Sequence, residues 1–138
     1  MRTFIGVLMV VWLAGCSSNG GEHAGQACAA AGDCYKGLKA APRGEVMCLT
    51  RVEGGYCTHL CQTTADCCAV EGECKSGLSQ VCGPFESTGQ RMCFISCESS
   101  VVGSVDPNVY CQQNAHKSFS CRSTGGGSDN QKVCVPNG

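Results

Sequence analysis

Fifteen of the 138 residues are cysteine, and this count constrains the fold more than any other feature. The share exceeds the roughly 8–10% that marks a disulfide scaffold in a short chain. The apolar composition points the same way. Beyond residue 15 the branched aliphatic residues and phenylalanines are four Leu (Leu38, Leu49, Leu60 and Leu78), Ile95, three Phe and ten Val, and the only Trp, Trp12, lies before that point. Such a thin core does not offset the ordering entropy of more than a hundred residues, at about 1–2 kcal/mol for each backbone unit. A native disulfide contributes about 2–4 kcal/mol, largely by restricting the unfolded chain. The expected fold class is therefore small and disulfide-rich: short β-hairpins and loops in a degenerate cysteine repeat, with little or no helix. The formal net charge is −1, with no long run of either sign, which argues against a nucleic-acid partner. An odd number of cysteines leaves one thiol to be explained.

The amino terminus supplies that explanation. Met1-Arg2-Thr3 is a short positive segment, Phe4 to Leu13 is apolar throughout, and Ala14-Gly15 are small residues of the kind a signal peptidase requires. The apolar run is too short to span a bilayer, which takes roughly 20 residues. Leu13-Ala14-Gly15-Cys16 resembles the lipobox of bacterial lipoproteins, a resemblance confined to these first sixteen residues. It implies a signal peptide over 1–15, cleavage between Gly15 and Cys16, and a diacylglyceryl thioether on Cys16 whose freed amine is commonly acylated too. Two or more chains, at about 0.8 kcal/mol per buried CH₂, make a durable anchor, so the membrane is an expected partner. The same resemblance favours the outer membrane, because Ser17 rather than Asp follows Cys16. Whether the protein faces the periplasm or the cell surface stays open. Lipidation of Cys16 leaves fourteen cysteines, an even number, in an oxidising compartment where disulfides are the expected state.

Residues 16–27 include the polar, glycine-rich run Ser17 to Gly25 and read as a flexible tether. A stapled domain follows over 28–138. Cys28 and Cys34, like Cys61 and Cys67, are separated by five residues with Asp33 or Asp66 just before the second cysteine. The spacing Cys57 to Cys61 recurs as Cys93 to Cys97, and Val81-Cys82 recurs as Val133-Cys134. These echoes suggest units at 28–50, 56–84 and 92–136. Asp106-Pro107 and Gly125-Gly126-Gly127-Ser128 read as turn and loop signals within the third unit.

The disulfide candidates are Cys28, Cys34, Cys48, Cys57, Cys61, Cys67, Cys68, Cys74, Cys82, Cys93, Cys97, Cys111, Cys121 and Cys134. Glu45 to Val52 and Tyr56 to Cys61 flank Gly54-Gly55, a two-residue hairpin signal. With those glycines as the turn, Cys48 faces Cys61, which makes them a testable pair. Arg91 to Ser96 and Lys132 to Val135 are further strand candidates. The middle cysteines, from Cys57 to Cys82, resemble an inhibitor cystine knot, or knottin, over about 26 residues. That resemblance implies Cys57 to Cys68, Cys61 to Cys74 and Cys67 to Cys82, a scheme incompatible with Cys48 to Cys61. Fourteen cysteines permit on the order of 10⁵ connectivities, so spacing alone does not choose.

Metal binding is not expected. Cys57-Thr58-His59-Leu60-Cys61 has a zinc-like spacing, but no Cys-x-x-Cys occurs. His59 and His116 read as solvated strand and loop residues, and His23 falls in the tether. No nucleophile elbow, zinc-protease helix or phosphate loop is present, so no catalytic residue, cofactor or enzymatic activity is expected. Glu71 and Glu73 read as a solvated acidic loop, and Tyr56, Tyr110 and Phe119 as packing residues. Two functional classes remain. One is a membrane-tethered structural or interaction module of the bacterial envelope, its protein partner unknown. The other is a knottin-like inhibitor or effector presenting a basic anchor such as Arg43, Lys75 or Arg91.

Overall fold

The structure, a computed structural model, describes residues 23–85, 89–125 and 130–138. The lipobox, Cys16 and the rest of segment 1–22 lie outside the described residues, as do Gly126, Gly127 and Ser128.

Two short 3₁₀ turns, Ala31–Asp33 and Thr64–Asp66, fill the five-residue gaps seen in the sequence. Asp33 Oδ2 accepts the amides of Ala29 and Ala30, both at 3.0 Å. Asp66 Oδ2 accepts those of Gln62 and Thr63, both at 2.9 Å. Each aspartate thus satisfies the amides left unpaired at the start of its turn. The residue after the second cysteine, Tyr35 or Cys68, is left-handed in both units, with φ of 57° and 60°.

Three antiparallel hairpins follow: β1 (Val46–Cys48) with β2 (Cys57–His59), β3 (Gln80–Pro84) with β4 (Arg91–Ile95), and β5 (Phe119–Ser123) with β6 (Lys132–Pro136). In every hairpin two cysteines lie directly opposite one another: Cys48 and Cys57, Cys82 and Cys93, Cys121 and Cys134. They do not bond to each other. Each reaches back to a different cysteine of the preceding segment, giving Cys28–Cys48 with Cys34–Cys57, Cys61–Cys82 with Cys67–Cys93, and Cys97–Cys121 with Cys111–Cys134. A seventh bridge, Cys68–Cys74, has no counterpart in the other two units. The fold is thus small and disulfide-rich, with all fourteen candidate cysteines paired.

The bridges group residues 28–59, 61–95 and 97–136. Cys57 closes the first group and Cys93 the second, so the breaks fall later than the spacing-based units 28–50, 56–84 and 92–136 suggest. The Val81-Cys82 and Val133-Cys134 echo is not an equivalence: Cys82 is on the first strand of its hairpin and Cys134 on the second of its own. Backbone pairing repeats as well. The Cys61 amide donates to the Arg91 carbonyl (3.0 Å), and the Cys97 amide to that of Lys132 (2.9 Å).

The pairing of Cys48 with Cys61 is overturned, and with it the three knottin bridges, Cys57 to Cys68, Cys61 to Cys74 and Cys67 to Cys82. The physical reason lies in the first hairpin loop. Gly54-Gly55 is not a two-residue turn. The chain bends twice, with the Val52 amide on the Leu49 carbonyl and the Gly55 amide on that of Val52, and Cys48 faces Cys57. This longer loop buries Leu49, Val52 and Tyr56, a gain a tight turn would forgo. Gly55, at φ 75°, lies so close to Cys28 that a Cβ there would sit 1.9 Å from the Cys28 carbonyl oxygen.

Isolated β-bridges join Leu60 to Met92 and Ser96 to Val133, so the second strand of each of the first two hairpins runs on against the next hairpin. The main core gathers at these junctions. Phe94, Phe119, Tyr56 and Val133 pack there with Cys97, Cys111 and Cys134, and the Tyr56 and Phe119 rings lie 4.7 Å apart. Tyr110 packs partly buried against the same cluster.

The third unit replaces the 3₁₀ turn by α1 (Ser99–Val102) and α2 (Pro107–Asn114). Asp106 caps α2, accepting the Asn108 and Val109 amides at 2.9 and 3.0 Å, and Pro107 occupies the first turn. The end of the expected tether is ordered: the Ala24 amide donates to Glu73, Gly25 to Cys57, and Cys57 returns a bond to Gln26. Among the described residues, no helix is long and apolar enough to cross a membrane.

Candidate functional site

The polar centre of the molecule lies where the first two units meet. His59, at the end of β2, and Glu73, in the Cys68–Cys74 loop, are both 0% exposed. This corrects the reading of both as solvated. Of the expected acidic pair, Glu71 alone is exposed, 3.8 Å from Lys39. The His59 Nδ1–H donates to the Leu60 carbonyl at 2.8 Å, and Nε2 lies 2.7 Å from Glu73 Oε1. Oε1 also accepts the Cys68 amide (2.9 Å) and Oε2 the Val70 amide (3.0 Å). A carboxylate surrounded by donors favours its ionised form, and a ring with an acceptor at each nitrogen favours double protonation. The geometry therefore suits imidazolium and carboxylate.

Burial opposes ionisation of His59, but its bonds to Glu73 and the Leu60 carbonyl, with the charge of Glu73, outweigh it and raise its pKa. Burial likewise works against the Glu73 charge, and the His59, Val70 and Cys68 donors overcome it, lowering its pKa. Tyr35 meets the His59 ring edge-on, with centroids 5.9 Å apart. Its phenol is pushed far above the usual range by burial and then by the Glu73 charge. The buried Tyr35 hydroxyl and His23 Nδ1 have no hydrogen-bond partner among the described residues.

A surface groove lies just outside this centre, separated from it by backbone. Gly44 closes over it so tightly that a Cβ would sit 1.9 Å from the Leu60 carbonyl oxygen and 3.3 Å from His59 Nδ1. The groove, about 560 Å³, is lined by Arg43, Glu45, Leu60, Gln62, Asp66 and Arg91, among others. Arg91 donates from Nη2 to the Cys82 carbonyl at 2.9 Å, which fixes its guanidinium. The amides of Thr63 and Gln62 hold Asp66 below the usual carboxylate range, with a smaller contribution from the Arg43 charge. Two guanidinium groups beside two carboxylates make a surface suited to a partner carrying both signs, with arginine supplying forked donors for carboxylates.

Two of the three basic anchor candidates, Arg43 and Arg91, thus share one groove; Lys75 is half-buried beside Cys74. His116 bonds the Glu53 carbonyl (3.0 Å) and the Ser118 hydroxyl (2.7 Å). Three cysteine trios bring sulfurs within 4.8 Å, but each trio consists of neighbouring disulfides, whose sulfurs are not free thiolates. In the zinc-like segment, Cys57 and Cys61 belong to separate bridges and both nitrogens of His59 are engaged. No known protein family, curated protein or solved structure matches this chain.

Proposed function

We propose that this protein is a lipid-anchored lipoprotein of the bacterial cell envelope, whose stapled domain acts as a structural or interaction module. The observation that carries the reading is one of pairing. Fourteen of the fifteen cysteines bond to one another in seven bridges, and the fifteenth is Cys16, the cysteine of the lipobox. A thiol left over at that one position is what lipidation requires. Ser17 favours the outer membrane as the site of anchoring. The groove between Arg43 and Arg91 is where the module would meet a polypeptide with exposed carboxylates.

Mass analysis of the protein from native bacterial membranes tests this. The expected mature chain begins at Cys16 and carries a diacylglyceryl thioether, and Cys16→Ser accumulates as an uncleaved precursor. A mature chain starting elsewhere, or an unmodified Cys16, would overturn it.

A further inference from the structure

The Cys68–Cys74 bridge stands apart from the other six in four ways. It is the one bridge outside the repeated pairing scheme. Its cysteines are only six positions apart, against 20 to 26 for the others, so it restricts the unfolded chain least and the fold depends on it least. Cys68 is the one exposed cysteine among the fourteen, and Cys74 is half-buried. Finally, the loop it closes is held independently: the Glu73 carboxylate takes the Cys68 and Val70 amides, and the Glu73 carbonyl takes that of Ala24. Even the left-handed backbone at Cys68 does not need the bridge, because Tyr35 adopts it at the matching position of the first unit with no disulfide of its own.

We propose that Cys68–Cys74 is a reversible thiol–disulfide exchange site, which takes two electrons from an external protein dithiol while the six repeat bridges stay closed. One thiolate of the donor attacks Sγ of Cys68 and forms a mixed disulfide. The Cys68–Cys74 bond breaks, and Cys74 leaves as a thiolate that takes a proton from water. The donor's second thiolate then attacks its own sulfur in the mixed disulfide and releases Cys68, which is protonated in turn. The donor ends as a disulfide, and Cys68 and Cys74 as thiols. Their Cα atoms, 5.3 Å apart in the bridged state, sit on a loop still tied at Glu73, so the pair is placed to close again.

The test uses the folded, oxidised full domain with its seven bridges, exposed to one equivalent of dithiothreitol. Thiols are trapped with an alkylating agent at successive times and located by peptide mass mapping. Cys68 and Cys74 should be labelled together at least tenfold faster than Cys28 and Cys48, the other bridge with neither cysteine fully buried. Oxidised glutathione should then restore the original pairing. Labelling of Cys28 and Cys48 at an equal or faster rate would overturn the proposal, and so would scrambling of the freed thiols into the neighbouring Cys67–Cys93 bridge. The double variant Cys68→Ser/Cys74→Ser should keep six bridges and lose the fast-labelled pair. Should that variant fail to fold, the labelling order in the unaltered protein decides alone.

Discussion

The buried pair of His59 and Glu73 ties stability to pH from both sides. The raised histidine contributes fully below its unfolded value of 6.5, and that contribution is lost as pH climbs through the folded value. The lowered glutamate contributes fully above its unfolded value of 4.5 and is lost as pH falls through the folded one. Urea unfolding at a series of pH values should therefore show greatest stability between about pH 4.5 and 6.5, with a decline on each side. Glu73→Ala leaves a buried imidazole without its partner and should cost about 3–5 kcal/mol; a loss below 1 kcal/mol would contradict the pairing. The two were not legible as a pair, because they are fourteen positions apart in the sequence and Glu73 stands beside Glu71 in a run that reads as a solvated acidic loop. Gly54 and Gly55 offer a sharper contrast. Both have positive φ, but a Cβ meets nothing within 4 Å at Gly54 and the Cys28 carbonyl oxygen at Gly55. Gly54→Ala should cost about 1 kcal/mol from backbone conformation alone, and Gly55→Ala clearly more, as read from paired denaturation curves.

Among the elements, the later strands were the most legible and α2 the least. The recurrence of Asp33 and Asp66 just before the second cysteine of a five-residue gap was visible in the sequence as a repeat, but the 3₁₀ turn that each aspartate holds was not read from it. The strands at Arg91–Ile95 and Lys132–Pro136 follow from β-branched and apolar residues in the sequence. α2 was read as a loop because Asp106-Pro107 is a turn signal. It is equally a helix start, with Asp as N-cap and Pro in the first turn, and the apolar face that would have distinguished them is narrow, with Cys111 buried and Tyr110 partly so. Asp106→Ala should lower stability by about 0.5–2 kcal/mol through loss of two amide acceptors; no change would mean that α2 does not depend on its cap. The first hairpin was misread for the opposite reason. Gly-Gly is a strong local signal, and it lost to the burial of Leu49, Val52 and Tyr56, which depends on residues from the third unit that local spacing does not reveal.

The molecule as a whole is three hairpins, each tied to the segment before it by two crossing bridges and joined to its neighbour by a short β contact. Its fold class was legible because cysteine count and apolar poverty leave few alternatives. Its connectivity was not, because bridges are chosen by which strands face each other. The closing of loops of 20 or more residues supplies about 3 kcal/mol for each bridge, against a core confined to the junctions. Full reduction should therefore abolish cooperative thermal unfolding and protease resistance together. The central claim is the repeated pairing itself, and stepwise partial reduction with alkylation and mass mapping of the oxidised protein, which separates Cys67 from Cys68, tests it most directly. The expected result is Cys28–Cys48, Cys34–Cys57, Cys61–Cys82, Cys67–Cys93, Cys97–Cys121 and Cys111–Cys134, with Cys68–Cys74 as the seventh. A Cys48–Cys61 bridge, or the knottin set built on Cys57–Cys68, would contradict the account.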